Sequence, residues 1–211
     1  MQRWERTLSE LYRVPLEVFE REIEVKKSRF IATAMPVASE SEMRRFIESQ
    51  RLRFPGANHH CSAYIIGSPF HPRAAGSDDD GEPSGTAGKP MLNVLMGQQI
   101  GDVCVVVTRF FGGIKLGAGG LVRAYGAAVK ELVPEWPLAE REPMASLTLR
   151  YPYDQQGWID SLLKRFEADV SGSDYTEAVT QQLTLPQRNQ ELFCHEVAER
   201  AHLGVSCEVM D

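Results

Sequence analysis

Eleven of the chain's 17 glycines fall between Gly81 and Gly126. Glycine lacks a Cβ and loses the most backbone freedom on ordering, so such a segment favours tight turns and close backbone approach over long regular elements. Within it, Val103 to Val107 is an unbroken apolar run, the pattern of a strand covered on both faces. The segment therefore reads as tight connections around one central buried strand. A helix is expected from about Thr86 to Met96, with Pro90 tolerated in its first turn. Gly112 to Leu116 is expected to turn. Gly117 to Val133 reads as a helix with Leu121, Tyr125, Ala128 and Leu132 along one face.

Val18 to Val25 alternates apolar and charged residues and reads as a half-buried strand. Ser28 to Val37 reads as its neighbour, with Lys26-Lys27 at the connection. Ser39-Glu40-Ser41-Glu42 has the spacing of a capping box. It opens a helix to about Phe54, whose inner face carries Met43, Phe46 and Ile47. Pro55-Gly56 ends that helix. Cys61 to Ile66 reads as a third strand, and Gly67 to Ser84 as mostly loop. Before all of these, the residues to about Leu11 read as a short helix.

Pro134 and Pro137, among acidic residues, read as a linker. Then come strand 145–151, helix 155–167, strand 169–174, strand 177–185, helix 187–202 and strand 204–210. This βαββαβ order is the ferredoxin-like split βαβ arrangement. Trp158, Leu162 and Phe166 mark the inner side of its first helix; Phe193, Val197 and Ala201 mark the second. The expected division is an N-terminal extension 1–17, a first domain 18–133, a linker 134–142 and a ferredoxin-like domain 143–211, all of α+β class. At 211 residues with 43% hydrophobic and 25% charged side chains, the chain has globular composition.

No apolar run approaches the roughly 20 residues of a membrane span, and no signal-peptide core follows the charged N-terminus. Cys61, Cys104, Cys194 and Cys207 show no CxxC spacing and read as reduced thiols of a cytoplasmic protein. The net charge of −6 argues against unspecific nucleic-acid binding, but it is unevenly spread. Residues 1–83 sum to −1, residues 84–130 to +4 and residues 131–211 to −9. A cationic island holding Lys89, Arg109, Lys115, Arg123 and Lys130 points to an anionic partner for that region.

Asp78-Asp79-Asp80-Gly81-Glu82-Pro83-Ser84-Gly85 leads to Gly88-Lys89-Pro90. It is not a phosphate-binding P-loop, because Pro83 and Pro90 stand where Gly and Ser/Thr are required. Nor is it a calcium loop, since its carboxylates do not alternate with spacers. It reads as a rigid loop feeding a helix whose free N–H groups receive an anion or a carboxylate. A metal at Asp79, Asp80 or Glu82 is left open. In His59-His60-Cys61, adjacent strand residues point to opposite faces. The two histidines therefore do not share one metal, and one is expected to face the core or pair with the acidic loop.

From Thr108 to Tyr125 the chain places Arg109 at a strand end, Phe110-Phe111 beside Gly112-Gly113, and Lys115 before Gly117. Arg123 and Lys130, seven apart, share a helix face. This mixture suits phosphate and base contacts. It also suits ordinary solvated cations over core aromatics.

Together Lys27-Ser28-Arg29-Phe30, His59-His60-Cys61, Asp79 through Pro83 to Lys89-Pro90, and Val107 through Gly113 to Gly117 resemble the IMPACT/YigZ family over nearly the whole chain. The resemblance implies that about 18–132 is an IMPACT domain, a β-α-β-α fold like the second domain of a small-subunit ribosomal protein. It implies that 143–210 is ferredoxin-like, similar to a domain of elongation factor G. Residues 1–16 lie outside the likeness. Eukaryotic members of the family act in translational regulation through an additional N-terminal domain that this sequence does not contain. Bacterial members are described as nucleic-acid or ribosome binders. A proline dipeptidase label has also been used in the family, but the metal-binding carboxylates and histidines it would need are not paired in this sequence. No catalytic residue carries over, and no cofactor is implied.

The leading expectation is a binding protein that regulates translation through RNA, the ribosome or a translation factor. Its contact residues are Lys89, Arg109, Phe111, Gly112, Gly113, Lys115, Gly117 and Arg123. Beside them stands a polar site of His60, Asp79, Asp80, Gly81, Glu82 and Gly85. Two other classes stay open: a hydrolase of a phosphate- or peptide-containing substrate, and a protein-interaction module without an anion site. The Asp79–Gly88 loop and the Gly112–Gly120 turn are expected to meet in one concave surface.

Overall fold

The computed structural model describes residues 11–210, so the helix expected at the N-terminus lies outside the described residues. Two units follow each other in the chain, 12–141 and, from 142 on, the C-terminal unit.

In the first unit the sheet runs β2 (Phe19–Val25), β3 (Ser28–Pro36), β6 (Val103–Phe110), β4 (His59–Gly67), β5 (Pro72–Asp78), every neighbouring pair antiparallel. The apolar run sits in β6 at the centre and is buried throughout. Val103, Val105 and Val107 pack with residues of α2 (Gly88–Gly97) and α3 (Ala118–Lys130). Cys104 and Val106 pack with Met43 and Phe46 of α1 (Glu40–Arg53). Strand periodicity of two explains this split: alternate side chains enter two different cores, so positions 103–107 are all apolar.

Ser39 caps α1 by accepting from Glu42 N–H. Glu42 returns a bond to the N–H of Ala38, one residue earlier than the usual reciprocal partner. Lys26 and Lys27 both have positive φ, 48° and 65°, and join β2 to β3 in a two-residue hairpin of the kind that matches strand twist.

Three strands escape the sequence reading. β5 lies inside the stretch expected as loop. It is an edge strand bonded only to β4, so it needs no apolar alternation, and its proline stands at the first position, where no ladder N–H is required. The stretch 134–142, which the prolines mark as a linker, contains β7 (Leu138–Arg141), paired with β1 (Tyr12–Pro15). Both strands are short, and their partners are more than a hundred positions apart, which leaves no local signal. Trp136, just before β7, is 4% exposed and belongs to the main core.

The C-terminal unit is β8 (Met144–Tyr151), α4 (Gln156–Arg165), β9 (Asp169–Tyr175), β10 (Val179–Pro186), α5 (Gln187–Glu199) and β11 (Ser206–Met210). Its antiparallel order β11-β8-β10-β9 is the ferredoxin-like arrangement expected. Leu162 and Phe166 meet Phe193 and Val197 in its core. Trp158 is only partly buried, under the guanidinium of Arg200 at 4.2 Å. Ala201 falls in a 3-10 turn after α5 and is exposed, not inward.

Candidate functional site

The acidic loop and the glycine-rich turn meet. Glu82 and Pro83 from the first, and Lys115, Leu116, Gly117, Ala118 and Leu121 from the second, line one cavity of about 440 Å³. Arg109 and Phe111 at the end of β6, and Asn58 and His59 at the start of β4, complete it.

Each carboxylate of the acidic loop has a separate task. Asp79 accepts from the N–H groups of Gly85 (2.6 Å), Gly88 (2.8 Å) and Ala87 (3.0 Å). It is therefore the carboxylate that fills the N-terminus of α2, the end expected to receive an anion. Burial acts to raise its pKa, but the three N–H donors outweigh this and hold it below the ordinary Asp value of 3.8. Asp80 takes Arg51 Nη2 at 2.7 Å and the N–H of His60 at 2.5 Å. Burial again acts upward, and these partners hold its pKa low. Gly81, with φ of +83°, turns the chain so that Glu82 enters the core.

Glu82 is the member that faces the cavity. Its Oε1 accepts from Arg109 Nη1 at 2.6 Å and from the Tyr125 hydroxyl at 2.8 Å. Both charged side chains are nearly sealed, 4% exposed for Glu82 and 7% for Arg109. Arg109 pairs with Glu82, whereas Asp79 and Asp80 are engaged elsewhere. Its guanidinium lies between Phe30 (5.4 Å) and Phe111 (5.6 Å). The Cys61 thiol lies 3.0 Å from the Asp79 carbonyl and 3.3 Å from the Tyr125 hydroxyl. Burial pushes it up to about 12, so it is a neutral part of the network and not a nucleophile.

The paired histidines do take opposite faces. His60 turns away from the cavity and is buried near Asp80, with its pKa lowered chiefly by burial. His59, which the sequence did not single out as a site residue, lines the cavity. Its Nδ1 is 2.8 Å from the Asp80 carbonyl, to which it donates, and its Nε2 stands 3.9 Å from Glu82 Oε1. Tyr125, Ser28 and Asn58 were also missed. The first reads as an ordinary core position on its helix, and the others lie far away in sequence.

The glycines have distinct reasons. A Cβ on Gly112 would stand 2.0 Å from the carbonyl carbon and oxygen of Lys27. Its own N–H donates to Ser28 Oγ at 3.1 Å, so the turn is laid directly on the β2–β3 hairpin. Gly117 has φ of +72° and stands as the N-cap of α3 with no side-chain cap. Gly113 and Gly85 also have positive φ, but only Gly85 touches the acidic loop, through Asp79.

A second, adjoining groove of about 240 Å³ is lined by Val25, Lys26, Leu116, Gly120, Arg123, Ala124 and Ala127; Leu116 borders both. Lys26, Lys115 and Arg123 form no ion pair among the described residues. Lys89, expected in the same site, is exposed on the first turn of α2 and lines neither groove. Among the described residues no three His, Cys, Asp or Glu side chains are grouped as metal ligands; Asp79, Asp80 and Glu82 are spent on separate partners.

The sequence and the fold have counterparts. The model of the Impact N-terminal domain matches residues 26–133, and that of a domain of unknown function (DUF1949) matches 149–202. IMPACT family member YigZ of Escherichia coli (strain K12) is 39% identical over 176 residues, 83% of this chain and 86% of that protein. IMPACT family member YvyE of Bacillus subtilis (strain 168) is 40% identical over 183 residues, 87% of this chain and 83% of that one. A crystal structure of a hypothetical protein superposes with a TM-score of 0.67 at 35% identity, covering 97% of this chain and 99% of its own. These matches span both domains at 35–40% identity, and the chain belongs to the IMPACT family.

Proposed function

We propose that this chain is an RNA-binding protein that acts in translation, and that its contact surface is the pair of grooves on either side of Leu116. The observation that carries this is the set of cations that have no ion-pair partner among the described residues, Lys26, Lys115 and Arg123, ranged along the two grooves beside a Phe111 that is 46% exposed. A strand of RNA is recognised in this way: cations follow its phosphates and an aromatic ring stacks on a base. The family resemblance, which implies domains like those of a ribosomal protein and an elongation factor, supports a ribosome-associated RNA. Lys26 stands on a strained positive-φ turn, and strain of about 1–3 kcal/mol per residue is retained where surrounding structure enforces it.

The test is a salt titration of ribosome and single-stranded RNA binding with wild type, Lys115→Glu and Arg123→Glu. Each lost phosphate contact should make the negative slope of log K against log salt shallower by about 0.7, alike for all sequences. Salt-independent binding, or charge reversal without effect, would leave a protein-interaction surface as the better account. A hydrolase reading keeps only His59 and Glu82, since Asp80 and His60 are engaged away from the cavity. It requires His59→Ala to abolish turnover while RNA binding persists.

A further inference from the structure

The cavity between β4, β6 and α3 differs in kind from the open groove beside it. It is about 440 Å³, within the size range of small-ligand pockets and suited to about one nucleotide rather than a running chain. One wall is the start of α3, where Gly117, Ala118, Gly119 and Gly120 carry little or no side chain and no side chain caps the helix. The first N–H groups of this 13-residue helix are thus open to close approach by an anion, with the helix dipole in support. The opposite α2 terminus is closed by Asp79, so within this domain the two helix ends differ in what they can accept.

A second feature points the same way. Arg109 is 6% exposed and lines the cavity, yet its Nε has no hydrogen-bond partner among the described residues, and its Nη2 has only Ser28 Oγ at 3.5 Å. Only Nη1 is well bonded, to Glu82. A buried guanidinium with unused donors is uncommon unless a ligand or a bound water completes it. Lys115 supplies an exposed cation, and Phe111 a ring face.

We propose that this cavity binds a nucleoside 5′-monophosphate group. The phosphate sits at the α3 N-terminus under Lys115, and the base stacks on Phe111. A monoester suits the site better than an internal diester. It carries about −1.5 to −2 charge with three free oxygens, which the converging donors can use. A continuing diester strand would have to leave past the Glu82 carboxylate. This deepens the RNA reading and rests on it for one of two sources of the group: a 5′-phosphorylated RNA end, or a free mononucleotide.

The experiment is titration of the full chain by calorimetry and amide NMR with AMP, adenosine, inorganic phosphate and phosphoserine. AMP should bind saturably, with amide shifts centred on 115–121 and 58–59. Adenosine, inorganic phosphate and phosphoserine should each bind at least about tenfold more weakly, the size of one charge-assisted hydrogen bond or one stacked base. Lys115→Ala and Phe111→Ala should each weaken AMP by about the same factor. Both side chains are exposed, and unchanged circular dichroism shows that the variants are folded. Absence of saturable AMP binding, or equal binding of any of the other three, overturns the proposal. If a 5′-hydroxyl RNA then still binds with a steep salt slope, the RNA surface stands without it. Short RNAs separate the sources: displacement of AMP by the 5′-phosphorylated but not the 5′-hydroxyl form assigns the RNA end. AMP binding that neither RNA disturbs assigns the free nucleotide and removes the RNA reading of this cavity.

Discussion

Removal of Glu82 is the sharpest probe of how the site is held together. Glu82→Ala deletes the acceptor of two bonds, 2.6 Å from Arg109 and 2.8 Å from Tyr125. It leaves the Arg109 charge at 6% exposure with only a 3.5 Å contact to Ser28. Breaking a buried pair by removing one partner costs about 3–5 kcal/mol, because the remaining charge keeps its desolvation penalty. Against a total stability of about 5–15 kcal/mol, that is a large fraction. The penalty belongs to the stranded charge, so Arg109→Met, which sets an apolar side chain between Phe30 and Phe111, should relieve it. The double variant should be more stable than the sum of the single losses by at least about 2 kcal/mol, as expected for directly coupled residues. Urea-dependent hydrogen exchange on peptides of β4 and β6 reads this domain separately from the ferredoxin-like one. A Glu82→Ala loss below about 1 kcal/mol, or strict additivity in the double variant, would refute the claim that this ion pair holds the cavity wall.

Asp79 makes a pH-dependent contribution. Its folded pKa is depressed, so its stabilisation is fully present above the unfolded value near 3.8 and is lost as pH falls through the lower folded value. Asp79→Asn should therefore destabilise at neutral pH and flatten the acid limb of a stability-against-pH curve. Gly112→Ala places a methyl group 2.0 Å from Lys27 backbone atoms, which no rotamer relieves. It should cost about 3 kcal/mol or more and shift amide resonances of the β2–β3 hairpin, measured by urea unfolding and NMR. A fragment ending at residue 133 lacks β7 and the buried Trp136, whereas one ending at 141 keeps both. The shorter should be less stable by about 3–5 kcal/mol, the usual cost of emptying a large aromatic site, as read by its thermal midpoint.

The ferredoxin-like half was legible because each element announces itself locally: βαββαβ order, strand alternation and helix faces at Leu162, Phe166, Phe193 and Val197. The central strand was legible for the same reason, since an apolar run flanked by glycines has few other homes. That the acidic loop meets the glycine-rich turn was also expected from the sequence, because each is too rich in glycine and polar residues to build core and each adjoins a well-patterned helix. What each side chain does within that surface did not follow. Asp79, Asp80 and Glu82 are near-identical neighbours in the sequence. Positive φ at Asp80 and Gly81 sends one to cap α2, one to Arg51 and one into the core, and only backbone geometry distinguishes them. Arg109 and Lys115 carry the same charge, but one is sealed in an ion pair and the other is open to solvent. His59 and His60 differ by a single residue, and the register of β4 against β6 decides which of them reaches the cavity. Strands β5 and β7 depend on partners supplied by the fold. Local sequence thus determined the elements and the region of the site. Long-range packing alone decided the partner of each polar group, because a buried charge is placed by whatever neutralises it.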